Sequence, residues 1–313
     1  MSRPLLILGV VIAFALSLAL PWLSLAPDLT RDLLVELRLP RALLALTYGA
    51  ALGACGAAIQ TIFANPLASP DLTGTTSGAA LGAVIAAYLL EFASPLALSL
   101  GSVAGALAAL GLLLALAGPR AETATLLLAG LAISALAGAL TTLALALAPS
   151  PFAFYDAYEW LMGSLVDRSL SQAAFALIPT LVCIALLLRQ VRALDSLALG
   201  EQTAQAIGYD LRRLRFWVII LTAVAVGACV AICGAIGFIG LVAPVFARRL
   251  TAGHPGRAIV PAALIGGVLL VVADLLVRML PDGRVLPVGV ITAMLGAPFF
   301  LWLVAHMRWD LRS

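Results

Sequence analysis

The chain has 313 residues, of which 63% are hydrophobic and 11% charged, with a mean hydropathy of +1.14 and a formal charge of +3. That balance excludes an ordinary soluble domain and indicates an all-α, polytopic membrane protein, because apolar runs of about twenty residues recur along its length. The runs are continuous instead of alternating, which argues against a transmembrane β-barrel. All 18 basic residues are arginine, so the chain has no lysine for a Walker A phosphate loop and is not its own ATPase.

Hydropathy, breakers and charges together predict a transmembrane helical bundle of about ten spans. They cover roughly 4–25, 39–62, 73–91, 95–118, 122–147, 170–190, 211–233, 237–251, 257–280 and 287–308, each about the length a bilayer requires except the eighth. The first run follows Arg3 and is longer than the apolar region of a secretory signal, so it is expected to be a retained span. With the N-terminus inside, most arginines fall on the inner side, and Arg31, Arg38, Arg41, Arg168, Arg278 and Arg284 at the outer side. The positive-inside rule therefore puts both termini in the cytoplasm and accounts for the pI of 8.9 without nucleic acid as a partner.

Between the second and third spans lies FANPLASPDLTG, where Asn65-Pro66 and Ser69-Pro70 predict a break in the helix. It reads either as an interspan turn or as irregular backbone lining a protein-filled or watery path. Glycines four apart, at Gly49 and Gly53, at Gly74, Gly78 and Gly82, and at Gly101 and Gly105, predict close packing of helix on helix within the membrane lipid. The segment 148–169 is predicted to be a long outer loop. Its Tyr155, Tyr158 and Trp160 form either an interfacial belt or the wall of a vestibule, with Asp156 and Glu159 beside them.

Nothing in the chain has the pattern of catalytic or metal-binding residues. His254 and His306 stand far apart, no HExxH or GxSxG occurs, and Cys55, Cys183, Cys229 and Cys233 lie in apolar runs as packing residues. Asp274 is the one carboxylate deep in an apolar run. It is expected to pair with Arg278 one turn on, with a proton relay as the alternative.

The segment from Arg189 to Arg215 is polar between two apolar spans. Gly200 and Gly208 bound a helix of about two turns, with Glu201, Gln202 and Gln205 on its polar side and Leu199, Ala206 and Leu211 flanking it. It reads as a handle for a soluble partner or as a solvated interspan loop.

Taken together, RLPRALLALTYGAALGACGAAIQTIFANPLASPDLTGTTSGAALGA (Arg38 to Ala83), LGEQTAQAIGY, CGAIGFIGLVAPVFARRL (Cys233 to Leu250) and LPVGVITAMLGAPFFLWLV (Leu286 to Val304) resemble the FecCD family of ABC importer permeases. The resemblance covers nearly the whole chain. It implies a single permease domain over 1–313 with the type II ABC importer fold and a homodimer in the bacterial inner membrane. It also implies two cytoplasmic ATP-binding subunits and a periplasmic substrate-binding protein. The chain itself would hold no cofactor and no metal, with ATP on the partner ATPase.

The resemblance further implies a coupling helix within 194–210, carried by Gly200, Glu201, Ala204 and Gly208. It implies docking of the binding protein at Arg38 and Arg41, with Arg278 a weaker candidate. The reading from the residues alone is that Arg38 and Arg41 are interfacial anchors. Family members commonly have His after the proline of GLVAP, where this chain has Val245. A ferric siderophore is the expected cargo, with haem and cobalamin as alternatives; a proton-coupled secondary transporter and a passive channel are the other classes.

Overall fold

The computed structural model describes residues 3–19, 33–88, 95–118, 123–280 and 286–310. Among them the regular structure is helical. The longer helices are α1 (Arg3–Ala19), α2 (Leu39–Ile62), α3 (Thr75–Tyr88), α4 (Pro95–Ala117), α5 (Thr123–Ala146) and α6 (Pro151–Leu161). After these come α7 (Leu170–Arg189), two six-residue helices α8 (Val191–Ser196) and α9 (Glu201–Ala206), then α10 (Leu211–Cys233), α11 (Ile239–Leu250), α12 (Ile259–Arg278) and α13 (Val288–Asp310). A π-helical turn, Leu33–Arg38, leads into α2.

A helix stands at each of the ten predicted span positions. Six described helices are long and apolar enough to cross a membrane: Leu33–Ile62, Ala97–Leu116, Ala124–Ala146, Leu170–Arg189, Leu211–Cys233 and Ile259–Arg278. Pro4–Ala19, Thr75–Tyr88 and Val288–Leu303 are apolar but shorter. At about 1.5 Å per residue α11 is about 18 Å long, short of a full crossing. The predicted end of the first span, Arg31, Arg120, Arg284 and Arg312 lie outside the described residues.

The core is built on α2, whose flanks are α12, α11, α10 and α7. Alanine and glycine are dense on it, so neighbouring backbones come close. A Cβ on Gly49 would lie 2.2 Å from the Gly266 carbonyl oxygen, and one on Gly53 would lie 2.0 Å from that of Ala262. In lipid, where burial of apolar surface gives helices no drive to associate, such backbone contact supplies the packing. Close packing at these glycines recurs in a second seam, where Gly78 and Gly82 of α3 face Gly101 and Gly105 of α4.

Hydrogen bonds tie down two irregular stretches inside the bundle. In the FANPLASPDLTG break, Asn65 Oδ1 accepts from Leu67 N at 2.9 Å, Thr73 Oγ1 donates to Pro70 O at 2.6 Å, and Ser134 Oγ of α5 donates to Asp71 O at 3.0 Å. Between α10 and α11, the buried Tyr48 hydroxyl donates to Gly234 O at 3.0 Å and accepts from Ile236 N at 3.2 Å. α11 is short because the chain emerging from α10 breaks at the level of Tyr48, the tenth residue of α2, and resumes as helix only at Ile239.

The predicted long loop 148–169 contains an eleven-residue helix. Ser150 Oγ accepts from Ala153 N at 3.1 Å, Pro151 takes the first helical position, and α6 follows. A serine cap before a proline at the helix start is a sequence signal for this turn. Phe152, Tyr155 and Tyr158 are exposed, and the Tyr88 hydroxyl donates to Ala153 O, tying α6 to α3.

Candidate coupling and docking sites

Two clusters of polar residues stand at opposite ends of α12. Its twenty residues span about 30 Å, the thickness of a bilayer's hydrocarbon core.

The first cluster surrounds α9. Gly200 has φ of 95° and Gly208 φ of 96°, backbone that favours glycine, so the chain turns sharply into and out of a six-residue helix. Gly200 O accepts from Ala204 N at 3.0 Å, and Gly208 N donates to Gln205 O at 2.9 Å. Of the four residues expected to couple, Gly200, Glu201 and Gly208 are exposed, whereas Ala204 is fully buried and seats the helix on the bundle. Leu211, expected to flank the polar face, is also buried. The outward surface instead carries Gln202, Thr203, Gln205 and two apolar side chains, Leu199 and Ile207, which are 66% and 57% exposed.

Two contacts hold this segment in place. Arg215, in the first turns of α10, pairs with Glu201 at 2.5 Å. Asp195 of α8 accepts from Gly256 N at 2.8 Å through Oδ1, and its Oδ2 lies 3.8 Å from Arg257 Nε. Gly256 is pressed against α8, since a Cβ there would lie 2.2 Å from Val191 O. The sequence reading missed Asp195, Arg215 and Gly256, whose partners are distant in the chain.

The second cluster lies at the other end of α12. Asp274 is fully buried. Its Oδ1 accepts from Arg41 Nε at 2.8 Å and lies 2.8 Å from Arg41 Nη2, while Oδ2 is 2.5 Å from Arg278 Nη2. The expected pairing of Asp274 with Arg278 is therefore present, joined by Arg41 from α2. Arg278 Nη1 donates to Ser17 O and Arg38 Nη1 to Leu18 O, each at 2.9 Å, so both arginines reach carbonyls in the last turn of α1. Cationic groups are favourable at that helix end, where carbonyls lack helical partners. The structure thus brings Arg38, Arg41 and Arg278 together. Asp274 therefore has two guanidiniums as neighbours, one from each of two helices.

Val245, at the position where the resemblance suggested His, lines a cleft of about 230 Å³ with Phe246, Arg249, Phe299 and Trp302. The four cysteines are buried free thiols, and Cys229 lies 3.5 Å from Thr180 Oγ1.

The family model of the FecCD transport family matches residues 4–306. The chain belongs to the FecCD transport family. The Fe(3+) dicitrate transport system permease protein FecD of Escherichia coli K12 is 40% identical, over 92% of this chain and 91% of that protein. The vitamin B12 import system permease protein BtuC of Vibrio cholerae is also 40% identical, over 89% of this chain and 84% of its own length. The Fe(3+)-citrate import system permease protein YfmE of Bacillus subtilis is 36% identical, over 86% and 80%. Among solved structures, an inward-facing conformation of a metal-chelate type ABC transporter aligns with a TM-score of 0.88 and 31% identity, covering 96% of this chain and 97% of that one. These relatives are transport permease subunits and not enzymes.

Proposed function

We propose that this FecCD-family chain is the membrane permease of an ATP-driven, binding-protein-dependent importer of a metal chelate. It crosses the bacterial inner membrane ten times, with both termini in the cytoplasm. Two copies form the path, two cytoplasmic ATPase subunits supply the drive, and a periplasmic binding protein delivers the cargo. The apolar face of α5, with Leu128, Leu131, Leu136 and Leu143 exposed, offers surface for lipid and for the second copy.

The observation that carries the reading is α9. A short helix pinned by Arg215 and Ala204, turned by two glycines at positive φ, presents Leu199 and Ile207 between polar side chains. Amphipathic helices that enter a partner's groove use this combination of apolar anchors and a polar surround. In this reading the groove belongs to the ATPase subunit, and Gly200, Glu201, Ala204 and Gly208 set the angle at which the helix enters it.

The proposed cargo is an iron chelate, with a ferric siderophore as the first choice. Support comes from the iron-citrate relatives. The vitamin B12 relative keeps cobalamin as the alternative, with haem beside it as a further metal chelate. The deciding experiment is uptake into proteoliposomes that contain the chain and its ATPase, with and without the binding protein and a proton ionophore. Uptake of ferric siderophore that needs ATP and the binding protein and ignores the ionophore is the expected result. Uptake that collapses with the ionophore would replace the reading with a proton-coupled one.

A further inference from the structure

α13 meets the start of α11 at a tight point. A Cβ on Gly296 would lie 2.3 Å from the Cβ of Phe238, the residue that precedes α11. Phe238 has φ of 67°, a conformation that a bulky residue keeps only where its surroundings hold it. Beyond this contact Val245, Phe246 and Arg249 of α11 and Phe299 and Trp302 of α13 line a cleft of about 230 Å³.

Three rings run along this cleft. Phe246 and Phe299 have centroids 5.5 Å apart with planes at 30°, and Phe299 and Trp302 have centroids 5.7 Å apart with planes at 35°. Phe246 and Trp302 are exposed, so ring surface remains uncovered. A guanidinium stands at the same wall. Arg248 turns into the bundle, where its Nη2 donates to Thr61 Oγ1 at 3.3 Å, whereas its neighbour Arg249 lines the cleft. An acyl chain needs no such wall, since leucine side chains serve it equally. A π face prefers another ring, and a guanidinium presents a planar fork of N–H donors to anionic oxygens. The ligand that uses both is a flat aryl group carrying anionic oxygens. Drug-sized ligands occupy about 300–1,000 Å³, so this cleft takes a single ring and not a whole chelate.

We infer that the α11–α13 cleft is a subsite for one aryl arm of the cargo, a catecholate or salicylate ring that stacks on Phe299 and Trp302 while its anionic oxygens meet Arg249. This rests on the reading of the chain as a chelate importer and deepens it, because it favours aryl-bearing ferric chelates over ferric citrate. Non-helical backbone at membrane depth is tolerated where it is buried in protein or borders a watery path. α11 starts from such a stretch, 234–238, which places the cleft beside it. Val245 supplies an apolar wall at the position where the resemblance suggested His, so no imidazole competes there for the ring.

The test uses the complete permease and ATPase complex in nanodiscs, with tryptophan fluorescence as the signal and Trp302→Phe to identify the part that comes from Trp302. The probes are 2,3-dihydroxybenzoate, which is flat and anionic, cyclohexanecarboxylate, which is anionic without a π face, and octanoate, an anionic acyl chain. Saturable quenching by dihydroxybenzoate, at lower concentration than either of the others, is expected. Phe299→Leu keeps apolar bulk and removes the ring face; Arg249→Lys keeps the charge and removes the planar fork. Each should weaken dihydroxybenzoate about fivefold. Equal binding of octanoate would make the cleft a groove for lipid tails and overturn the inference. So would affinity that both variants leave unchanged, or the absence of any saturable signal, as when a second copy of the chain covers the cleft.

Uptake separates the subsite from the reading beneath it. In proteoliposomes with the ATPase and the binding protein, both variants should slow uptake of the ferric dihydroxybenzoate complex while ATP hydrolysis is kept. Unchanged uptake, an equal loss of hydrolysis, or transport of ferric citrate alone would overturn the subsite and leave the importer standing. If the unmodified chain moves no ferric chelate with ATP, the importer reading fails instead, and the fluorescence titration still decides whether the cleft takes an aryl anion.

Discussion

The hydroxyl of Tyr48 lies 3.0 Å from the carbonyl oxygen of Gly234, 186 positions further along the chain, and accepts a second bond from Ile236 N. One side chain thus satisfies a donor and an acceptor where the helix ladder stops inside the bundle. Tyr48→Phe would leave both groups without that partner at a site closed to water. Loss of about 1–3 kcal/mol is expected, read as a lower thermal midpoint in detergent with insertion retained. An unchanged midpoint would mean that the α10–α11 break finds other partners.

The seam between α2 and α12 makes a sharper prediction about volume. Gly53→Ala places a methyl group 2.0 Å from a carbonyl oxygen of the facing helix, so the helices must part. A cost of about 1–3 kcal/mol is expected, the usual range for overpacking. Gly111→Ala is the control, because nothing lies within 4 Å of the added carbon. It should be neutral or slightly stabilising, since alanine favours helix over glycine. Equal effects of the two substitutions on the thermal midpoint would remove the seam from the account.

For the coupling segment, Gly208→Pro cannot keep φ of 96° and deletes the N–H bound to Gln205 O. Glu201→Arg sets two guanidiniums against each other at the start of α10. The Glu201–Arg215 pair is partly exposed and contributes no more than about 1 kcal/mol to stability, so folding should survive. Both variants are expected to insert normally and to lose most ATP-dependent uptake. The measurement is transported cargo per ATP hydrolysed; an unaltered ratio in both would take α9 out of the coupling path.

Docking at the opposite end is tested most cleanly with Arg38→Glu. Joint reversal of Arg38 and Arg41 also places a carboxylate beside Asp274 and confounds binding with stability. The single variant should weaken association with the binding protein and flatten its salt dependence, because exposed charges are screened over about 8 Å at physiological salt. Unchanged affinity and slope would return Arg38 to the role of an anchor on the end of α1.

The helices were legible because an apolar run has few ways to satisfy its backbone in lipid, and the glycine spacing signalled close helix packing without saying which helices meet. Asp274 and Arg278 were legible for the same reason, being one turn apart on one helix. Arg41 as the second partner was not, since the contact depends on how α2 lies along α12 and no local pattern encodes it. The same holds for Arg215 with Glu201 and Asp195 with Gly256. α6 did have a local signal, because Ser150 and Pro151 mark a helix start.

α12 begins beside Asp195, ends at Arg278, and lies against α2 backbone to backbone at Gly49 and Gly53, with no side chain between the two helices at those crossings. At those crossings no rotamer change can open or close a gap, so any relative sliding of the two helices must carry backbone past backbone.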